Sequence, residues 1–545
     1  MIENNNESIG LQGFHMTMDD VLSPAEAQRL LEEGFVAPVD VFKRLKVEDC
    51  TFAPEIDARG ESPLVRTGFS SFGSPASGRL AFTPKDIREN ESNGRSSVLV
   101  VGFDALYKFQ RDRGYLYNVK NVILVCPNNQ YSDRNHLEHY SHARGIISSY
   151  CSALLDHPLR PQISFKAGKD FITFSKGGSL SAGEEVTIDP VRGNLWRGVH
   201  VKETCAYDSG LFQKTVDALG FMKTATEVAF HVPRNREDMR VWEIGQKWQT
   251  RQKIGLLRSD MDFLEHLQDI KSCPEYPTLL PLVEGAVPCS FQLWYGAGVH
   301  RKEESHYRLL DVTGLIPFFP ESLRNDFPEQ DSHIPGTKFF ALRSTLYTQQ
   351  IHMGYRLFRI EKNIINLHRP APQTIIVPSV KSVEEVRYFK ELIKRMTPQH
   401  ADPLIRFGVM METKEALKHT EGIAPLCDSL CYGTNDLTKE ITGLAREEMD
   451  HSGWMKECGY EGVSPYDVLV PEVIEPVAQS IAAARKANPN IFINMCGDQT
   501  GGHHIPSIEA VLDMGVNQIT VPPRLDLGLR AKLAIARHYA RKLGL

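Results

Sequence analysis

Residues that can bind phosphate, hold a metal or transfer a proton stand at the ends of apolar segments in the second half of the sequence. They are Arg258, Arg308, Glu412, Asn435, Asp436 and Cys496. In parallel α/β folds, side chains at the carboxyl ends of strands meet at one opening. Two arginines, two carboxylates, an amide and a thiol in one opening suit a small, multiply charged anion bound together with a divalent metal.

The two carboxylates have the spacing of strand neighbours. Glu412 ends the apolar segment FGVMME, and Asp436 lies 24 residues later in LCYGTNDLT. This is about one strand–helix repeat, so we expect the two carboxylates to lie on adjacent strands. Paired oxygen ligands favour Mg²⁺ or Mn²⁺. From spacing alone, structural salt bridges at the strand ends are the alternative interpretation.

Eight short apolar segments separated by amphipathic helical segments predict the elements that position these residues. The segments are 227–232, 253–258, 306–311, 374–380, 405–412, 428–435, 491–498 and 518–523. Two of the helical segments are 382–396 and 471–487. This alternation predicts a closed, parallel (β/α)8 barrel over residues 199–545.

Composition narrows the function classes. The 545 residues are 41% hydrophobic and carry a formal net charge of −6, which gives no sign of nucleic-acid or anionic-membrane binding. No run of about 18 apolar residues predicts a membrane span, and the polar N-terminus does not resemble a secretory signal. The ten cysteines form no CxxC pair, which favours a reducing cytoplasm.

The first 198 residues divide into two predicted units. Residues 1–65 form an N-terminal arm, in which Ser23 and Pro24 predict a helix start. Residues 66–198 are β-rich, with a strand at 121–127 and hairpins within 177–198.

The GTNDLT and CGD motifs, at 433–438 and 496–498, give the chain a family resemblance. It resembles the C-terminal phosphoenolpyruvate/pyruvate barrel of pyruvate phosphate dikinase, phosphoenolpyruvate synthase and Enzyme I of the sugar phosphotransferase system. The resemblance implies an α/β fold in which a (β/α)8 TIM barrel follows a swivelling phosphohistidine domain at 66–198. It also implies Mg²⁺ or Mn²⁺ and a homodimer formed through the barrel.

The resemblance implies a role for each motif residue. Glu412 and Asp436 match the metal ligands, Arg258 and Arg308 match phosphate-binding arginines of the catalytic set, and Cys496 matches the acid/base that protonates the enolate. The implied substrate-binding residues are Gly433, Thr434, Asn435, Arg446, Gly497 and Asp498.

The sequence departs from the family pattern at several positions. Ser259 and Asp260 replace Thr-Glu, Asp498 replaces glutamate, and a phosphate-binding arginine falls on Phe340 with Arg343 three residues later. The carrier histidine of the swivelling domain falls on Ser152 or Ala153. His157 nearby is either a displaced carrier or, as the following Pro158 favours, a surface or packing histidine. If the resemblance holds, we expect the family's N-terminal ATP-grasp domain to be absent.

Three functions follow as hypotheses. The first is a Mg²⁺-dependent enzyme that uses phosphoenolpyruvate or pyruvate and passes the phosphoryl group to a separate acceptor, which is a small molecule or a phosphocarrier or ATP-binding protein. The second is a non-catalytic, phosphoenolpyruvate-binding regulatory or partner subunit. The third is an enzyme that uses pyruvate enolate to form or break C–C or C–P bonds. His503 and His504 are further candidates to line the opening.

Overall fold

The structure is a computed structural model that describes part of the chain. The described residues are 55–58, 60–67, 75–102, 121–125, 152–156, 161–166, 169–190, 192–202, 226–230, 253–259, 305–315, 327–362, 373–397, 405–445, 448–449, 453–460, 463–465, 467–500, 504–521 and parts of 531–542. The helix predicted to start at Ser23 lies outside them.

A seven-stranded mixed sheet forms the core of the predicted 66–198 unit. Its strands, in sheet order, are β2 (Val65–Arg66), β11 (Asn194–Arg197), β10 (Glu185–Asp189), β3 (Ala76–Ala81), β4 (Ser97–Gly102), β5 (Asn121–Val125) and β6 (Ser152–Leu155). Strands β3 to β6 are parallel, and β2, β10 and β11 join by antiparallel pairing. Helix α1 (Pro84–Ser92) connects β3 to β4 and begins at a capping box formed by Thr83 and Asp86. The strand predicted at 121–127 and the hairpins predicted within 177–198 are confirmed.

Two smaller sheets accompany the seven-stranded sheet. Strands β7 (Ile163–Phe165), β8 (Phe171–Phe174) and β9 (Ser179–Ser181) form an antiparallel sheet. Strand β1 (Glu55–Ile56) pairs with β12 (Val201–Lys202), so this pair joins residues on either side of the predicted 66–198 unit. The swivelling character of that unit stays a prediction.

The second half of the chain folds into a parallel sheet that closes on itself. Its strands are β13 (Glu227–Phe230), β14 (Lys253–Ile254), β15 (Leu256–Arg258), β16 (Ser305–Arg308), β17 (Gln373–Val377), β18 (Ile405–Met411), β19 (Ser429–Gly433), β20 (Phe492–Cys496) and β21 (Gln518–Val521). Each of the eight predicted segments contains at least part of such a strand, which confirms the predicted barrel.

The barrel closes at Gly255, between β14 and β15. Strand β14 pairs with β13, and β15 pairs with β16, so one interrupted strand connects the two ends of the sheet. A Cβ on Gly255 would overlap Thr520 and come within 2.9 Å of the Ala229 Cβ. The backbone approaches its neighbours more closely here than another residue type allows.

The barrel strands have two buried faces. Outward side chains such as Ile375, Val409 and Ile493 join the large hydrophobic core. Inward side chains form a small apolar cluster of Leu256, Ile376, Met410, Cys431 and Cys496. Because both faces are buried, the strands are nearly continuous apolar runs in the sequence.

Helices cover the outer face of the barrel. They are α2 (Val312–Leu315), α3 (Lys338–Lys362), α4 (Val383–Met396), α5 (Lys414–Lys418), α6 (Thr420–Ile423), α7 (Thr434–Thr442), α8 (Trp454–Glu457), α9 (Pro471–Ala487) and α10 (Ile505–Asp513). Helix α4 begins at the predicted place because the Ser382 hydroxyl accepts a hydrogen bond from the Glu385 backbone. Within the part of the chain that the structure describes, no helix is long and apolar enough to cross a membrane.

Candidate active site

The carboxyl ends of the barrel strands bring together most of the predicted residues. Arg258 pairs in register with Arg308, and Gly433 pairs with Cys496. Glu412 directly follows β18, the strand that lies between these two pairs in the sheet. Met411, the last residue of β18, is opposite Tyr432 of β19. We call this edge the mouth and define it by Arg258, Arg308, Glu412, Gly433 and Cys496.

Glu412 is buried in the mouth, and its two oxygens have different surroundings. Oε1 accepts hydrogen bonds from the Ser379 backbone N–H at 2.7 Å and the Ser379 hydroxyl at 3.2 Å. Oε2 lies 3.7 Å from Nη1 of Arg308 and accepts no hydrogen bond from any described residue. A buried acceptor without a hydrogen bond is costly unless a ligand completes its surroundings. Oε2 is therefore the oxygen available to a bound cation.

The protonation of Glu412 reflects this environment. The pKa of Glu412 is raised to about 8. Burial is the largest cause, and the carboxylates of Asp436 and Asp311 add to the rise, whereas Arg308 and the Ser379 N–H oppose it. Two nearby negative charges and one incompletely bonded oxygen make this a site that favours added positive charge.

Asp436 lies in the first turn of helix α7, directly after β19, and its side chain is exposed. Its charge acts on Glu412, as expected for carboxylates on adjacent strands. Among the described residues there is no group of three or more acidic, histidine or cysteine side chains placed to hold a metal. Two carboxylates nevertheless fit Mg²⁺, which commonly takes one or two protein carboxylates and completes its shell with water and substrate oxygens.

Cys496 is 3% exposed and donates a hydrogen bond through its thiol to the Tyr432 carbonyl oxygen at 3.3 Å. Burial raises the pKa of Cys496 well above its usual value, Cys431 and Glu412 add to the rise, and Arg308 and Arg258 oppose it. The thiol therefore holds its proton at neutral pH, which suits a proton donor.

Short contacts join the loop after β19 to the loop after β20. The Thr434 hydroxyl donates to Gln499 Oε1 at 2.7 Å, and the Asp498 N–H donates to Asn435 Oδ1 at 3.0 Å. Between them, Gly497 has a φ of 138°, and a Cβ there would overlap Thr434 Oγ1. These contacts place the Asn435 amide and the Gly497–Asp498 backbone beside Cys496 at the edge of the mouth.

The remaining predicted residues lie elsewhere or outside the described residues. Arg446, His503 and His157 are outside. His504 precedes helix α10, and its Nδ1 lies 2.8 Å from the Ser507 hydroxyl. Ser152 and Ala153, the positions matched to the carrier histidine, lie in strand β6 and not at the start of a helix.

The departures from the family pattern have structural counterparts. Ser259 is buried and accepts a hydrogen bond from the Gln350 side chain at 3.0 Å. Phe340, which stands at a phosphate-binding arginine position, is buried against Tyr388 and Phe389. Arg343 is also buried, in an ion pair with Glu385. Neither position presents a cation to the mouth.

Two residues beside Glu412, Ser379 and Asp311, were missed in the sequence. Ser379 follows β17 with a φ of 53°, and it donates to Glu412 through both its N–H and its hydroxyl. Its hydroxyl is also 3.2 Å from Asp311 Oδ1. The rule that identified Glu412, a polar residue at the end of an apolar strand, also applies to Ser379. In the predicted segment TIIVPSV it is the small polar residue between Pro378 and Val380.

Comparison with protein families identifies the C-terminal part of the chain. Residues 336–538 match the family described as PEP-utilising enzyme, PEP-binding domain. This range contains Glu412, Asp436, Asn435 and Cys496, whereas Arg258 and Arg308 precede it.

Curated relatives match over 27% to 32% of the chain. Pyruvate, phosphate dikinase of Rickettsia bellii is 25% identical over 27% of this chain and 18% of its own length. A multiphosphoryl transfer protein of Xanthomonas campestris is 25% identical over 32% of this chain and 20% of its own length. Phosphoenolpyruvate-protein phosphotransferase of Haloferax volcanii is 26% identical over 31% of this chain and 29% of its own length. The chain thus spans less than a third of the length of each.

Among solved structures, a HpcH/Hpal aldolase/citrate lyase family protein from Burkholderia cenocepacia is 12% identical. It covers 61% of this chain and 100% of its own, with a TM-score of 0.29. RipC from Yersinia pestis has a TM-score of 0.28, 11% identity, and coverage of 57% of this chain and 96% of its own. Likeness at these scores supports no inference about function.

Proposed function

We propose that the chain is a Mg²⁺- or Mn²⁺-dependent enzyme that binds phosphoenolpyruvate or pyruvate in the mouth, since residues 336–538 match the family described as PEP-utilising enzyme, PEP-binding domain. The reaction passes a phosphoryl group between the enol oxygen and a separate acceptor. The whole-protein activities of the relatives named above are proposals for this chain, because it matches only part of each.

The observation that carries the proposal is the incomplete ion pair of Arg308 and Glu412. Arg308 stands 3.7 Å from an oxygen of Glu412 that receives no hydrogen bond from the described residues. A cation held by Glu412 and Asp436 would complete the surroundings of Glu412 Oε2, and Arg308 and Arg258 at the same edge suit a phosphate bound beside it.

Each residue then has a defined task. Arg258 and Arg308 bind the phosphoryl oxygens, since guanidinium groups keep their charge in a buried site. Glu412 and Asp436 hold the metal ion, which when bound would polarise the phosphoryl and enol oxygens of the substrate. Asn435 orients the carboxylate or enol oxygen, with Thr434 and the backbone of Gly433 and Gly497–Asp498 shaping the site. Arg446 is proposed as a further phosphate contact.

Cys496 completes the chemistry. When the bond from the enol oxygen to phosphorus breaks and the phosphoryl group joins the acceptor, the enolate carries the electron pair. The Cys496 thiol gives its proton to the methylene carbon, which yields pyruvate and a thiolate, and solvent then restores the proton. The raised pKa of the Cys496 thiol supports this role, because the proton donor is present before the reaction begins.

The other two hypotheses are outcomes of the same test. A regulatory or partner subunit would bind phosphoenolpyruvate without turnover. An enzyme of C–C or C–P chemistry would use the same enolate with a different acceptor. A homodimer through the barrel and a cytoplasmic location stay predictions.

Phosphorus NMR of the protein with phosphoenolpyruvate and Mg²⁺, alone and with candidate acceptors or cell extract, tests the proposal. We expect the phosphoenolpyruvate signal to be replaced by a new phosphorus species, and the conversion to be lost in Asp436→Ala. An unchanged spectrum together with tight phosphoenolpyruvate binding by calorimetry would support the non-catalytic hypothesis.

Exchange of pyruvate methyl protons in D₂O with Mg²⁺ tests the enolate half separately. We expect Cys496→Ala to abolish exchange. Cys431→Ala is the matched control, because Cys431 is an equally buried thiol of the same inner cluster, two residues before Gly433. If Cys496→Ala exchanges as fast as wild type, the thiol is not the proton donor.

A further inference from the structure

The turn from Pro378 to Ser382, which connects β17 to α4, is held at every residue by contacts from other elements or from the helix that follows. The Pro378 carbonyl accepts from Nη2 of Arg343, and the Val380 carbonyl accepts from the Thr413 hydroxyl at 2.8 Å. The Lys381 N–H donates to Glu385 Oε2 at 2.7 Å, and Ser382 caps helix α4. A turn bonded in this way has little freedom to rotate.

Ser379 lies at the centre of this turn in an unusual backbone conformation. Within the described part of the chain it is the one non-glycine residue with a positive φ, of 53°. A left-handed conformation at a serine persists only where the surroundings enforce it, and such positions cluster at functional sites. Here the conformation aims the Ser379 N–H and hydroxyl at the same oxygen of Glu412.

The surroundings that enforce it centre on Arg343. This side chain is 1% exposed, forms an ion pair with Glu385, and donates from Nε to the Tyr347 hydroxyl at 2.9 Å. Its guanidinium group also stacks on the Phe389 ring, with 4.9 Å from Cζ to the ring centroid. These three partners fix the guanidinium group, and the group in turn fixes the Pro378 carbonyl beside Ser379.

We propose that Arg343 and Ser379 are positioning residues that decide which Glu412 oxygen meets the metal. Arg343 holds the turn, the turn orients Ser379, and Ser379 occupies Oε1, which leaves Oε2 as the single metal-facing oxygen of Glu412. This inference rests on the proposed function, because it takes Glu412 as a ligand. An arginine at a position that does not reach the mouth thus acts on the site through the backbone.

The test is Mn²⁺ binding to the full chain, followed by electron paramagnetic resonance, for wild type, Ser379→Gly, Arg343→Lys and the double variant. Ser379→Gly keeps the N–H, loses the hydroxyl and removes the conformational constraint. Arg343→Lys keeps the charge beside Glu385 but loses the planar group that reaches Pro378. We expect each single variant to weaken Mn²⁺ binding about tenfold and to broaden the bound-Mn²⁺ spectrum.

The double variant separates positioning from general destabilisation. If Arg343 acts through Ser379, the double variant binds Mn²⁺ about as weakly as each single variant, whereas independent effects would multiply to about a hundredfold. Tyr347→Phe is the matched control, since it removes a bond of Arg343 while leaving the contact with Pro378. We expect it to lower the melting temperature and to leave Mn²⁺ affinity within about twofold of wild type.

The outcomes distinguish this inference from the proposal on which it rests. A wild-type chain that binds no Mn²⁺ overturns both. Wild-type binding that is unchanged in Ser379→Gly and Arg343→Lys overturns the positioning role alone. If Arg343→Lys does not fold, Ser379→Gly and its spectrum decide the question.

Discussion

Among the described residues of the barrel are two buried arginine–glutamate pairs, Arg343–Glu385 and Arg308–Glu412, which differ in how completely the glutamate oxygens are bonded. Glu385 Oε1 accepts from Arg343 and lies 3.2 Å from Nδ1 of His333, and Oε2 accepts from the Lys381 N–H. Glu412 has two donors on Oε1 and a 3.7 Å charge contact on Oε2.

The pKa values of the two glutamates follow from this difference. Burial alone would raise the pKa of Glu385, but Arg343, His333 and the Lys381 N–H more than compensate and lower it. For Glu412 burial prevails, and its pKa rises to about 8. A pair with every hydrogen bond satisfied serves structure, and a pair left partly unsatisfied is prepared for a ligand.

The largest expected effect comes from breaking the satisfied pair. Glu385→Gln leaves the Arg343 charge buried without its carboxylate, so we expect a loss of about 3 to 5 kcal/mol in the free energy of unfolding. Glu412→Gln should change this free energy by less than about 1 kcal/mol near pH 4.5, because Glu412 is protonated in the folded chain there and is only beginning to ionise in the unfolded chain. Urea unfolding of both variants with EDTA present measures the difference. Equal losses in the two variants would contradict the distinction between the pairs.

The second expected effect is a difference between the two glutamates in how stability depends on pH. The folded-state pKa of Glu412 is above its ordinary value of 4.5. The stability that the protonated carboxyl contributes is therefore fully present below pH 4.5 and is lost as pH rises towards about 8. Relative to Glu412→Gln, the metal-free wild type should therefore lose about 1 to 4 kcal/mol across this window. Glu385, with its lowered pKa, has the opposite sign and loses its contribution as pH falls.

Urea unfolding with EDTA at half-unit pH steps from 4.5 to 8.5 measures the loss of stability expected for Glu412. A stability difference between wild type and Glu412→Gln that stays flat across these steps would mean that Glu412 is ionised in the folded chain throughout. Adding Mn²⁺ should reverse the loss at high pH if Glu412 is a ligand, since the metal binds the deprotonated form.

A methyl group at Gly433 tests how closely the mouth is built around Glu412. A Cβ there would lie 3.0 Å from Glu412 Oε2 and 3.0 Å from Met410 Cε, so one of them must move. We expect Gly433→Ala to cost about 1 to 3 kcal/mol in unfolding free energy and to weaken Mn²⁺ binding. Gly102→Ala, at a glycine without a positive φ where the atom nearest to a would-be Cβ is Phe165 Cδ1 at 3.5 Å, controls for loss of a glycine. Unchanged Mn²⁺ binding in Gly433→Ala would place the metal away from Oε2.

The barrel strands could be predicted because their burial on both faces appears directly as apolar runs between amphipathic helices. The break at Gly255 could not, because it depends on the approach of Thr520 from a strand 265 residues later. The end of each strand is also a local signal, which is why Glu412 and Cys496 stood out.

The partners of the predicted residues could not be read from the sequence. The attachment of Ser379 to Glu412 depends on a backbone angle and on contacts with side chains from other elements. Arg343 is a second example. An arginine at this position suggests phosphate binding, but its side chain is buried in an ion pair with Glu385. Tertiary contacts decide whether a charged side chain serves the ligand or the fold.

The smallest expected effect concerns the two aspartates whose charges raise the pKa of Glu412. The effect of Asp436 is larger than that of Asp311. Asp436→Asn should therefore lower the Glu412 pKa by up to about one unit, and Asp311→Asn should lower it by less. The pKa is measured as the midpoint of the pH-dependent stability difference from the matching Glu412→Gln double variant in EDTA. A reversed order would show that Asp311, through its contact with the Ser379 hydroxyl, couples to Glu412 more strongly than Asp436 does.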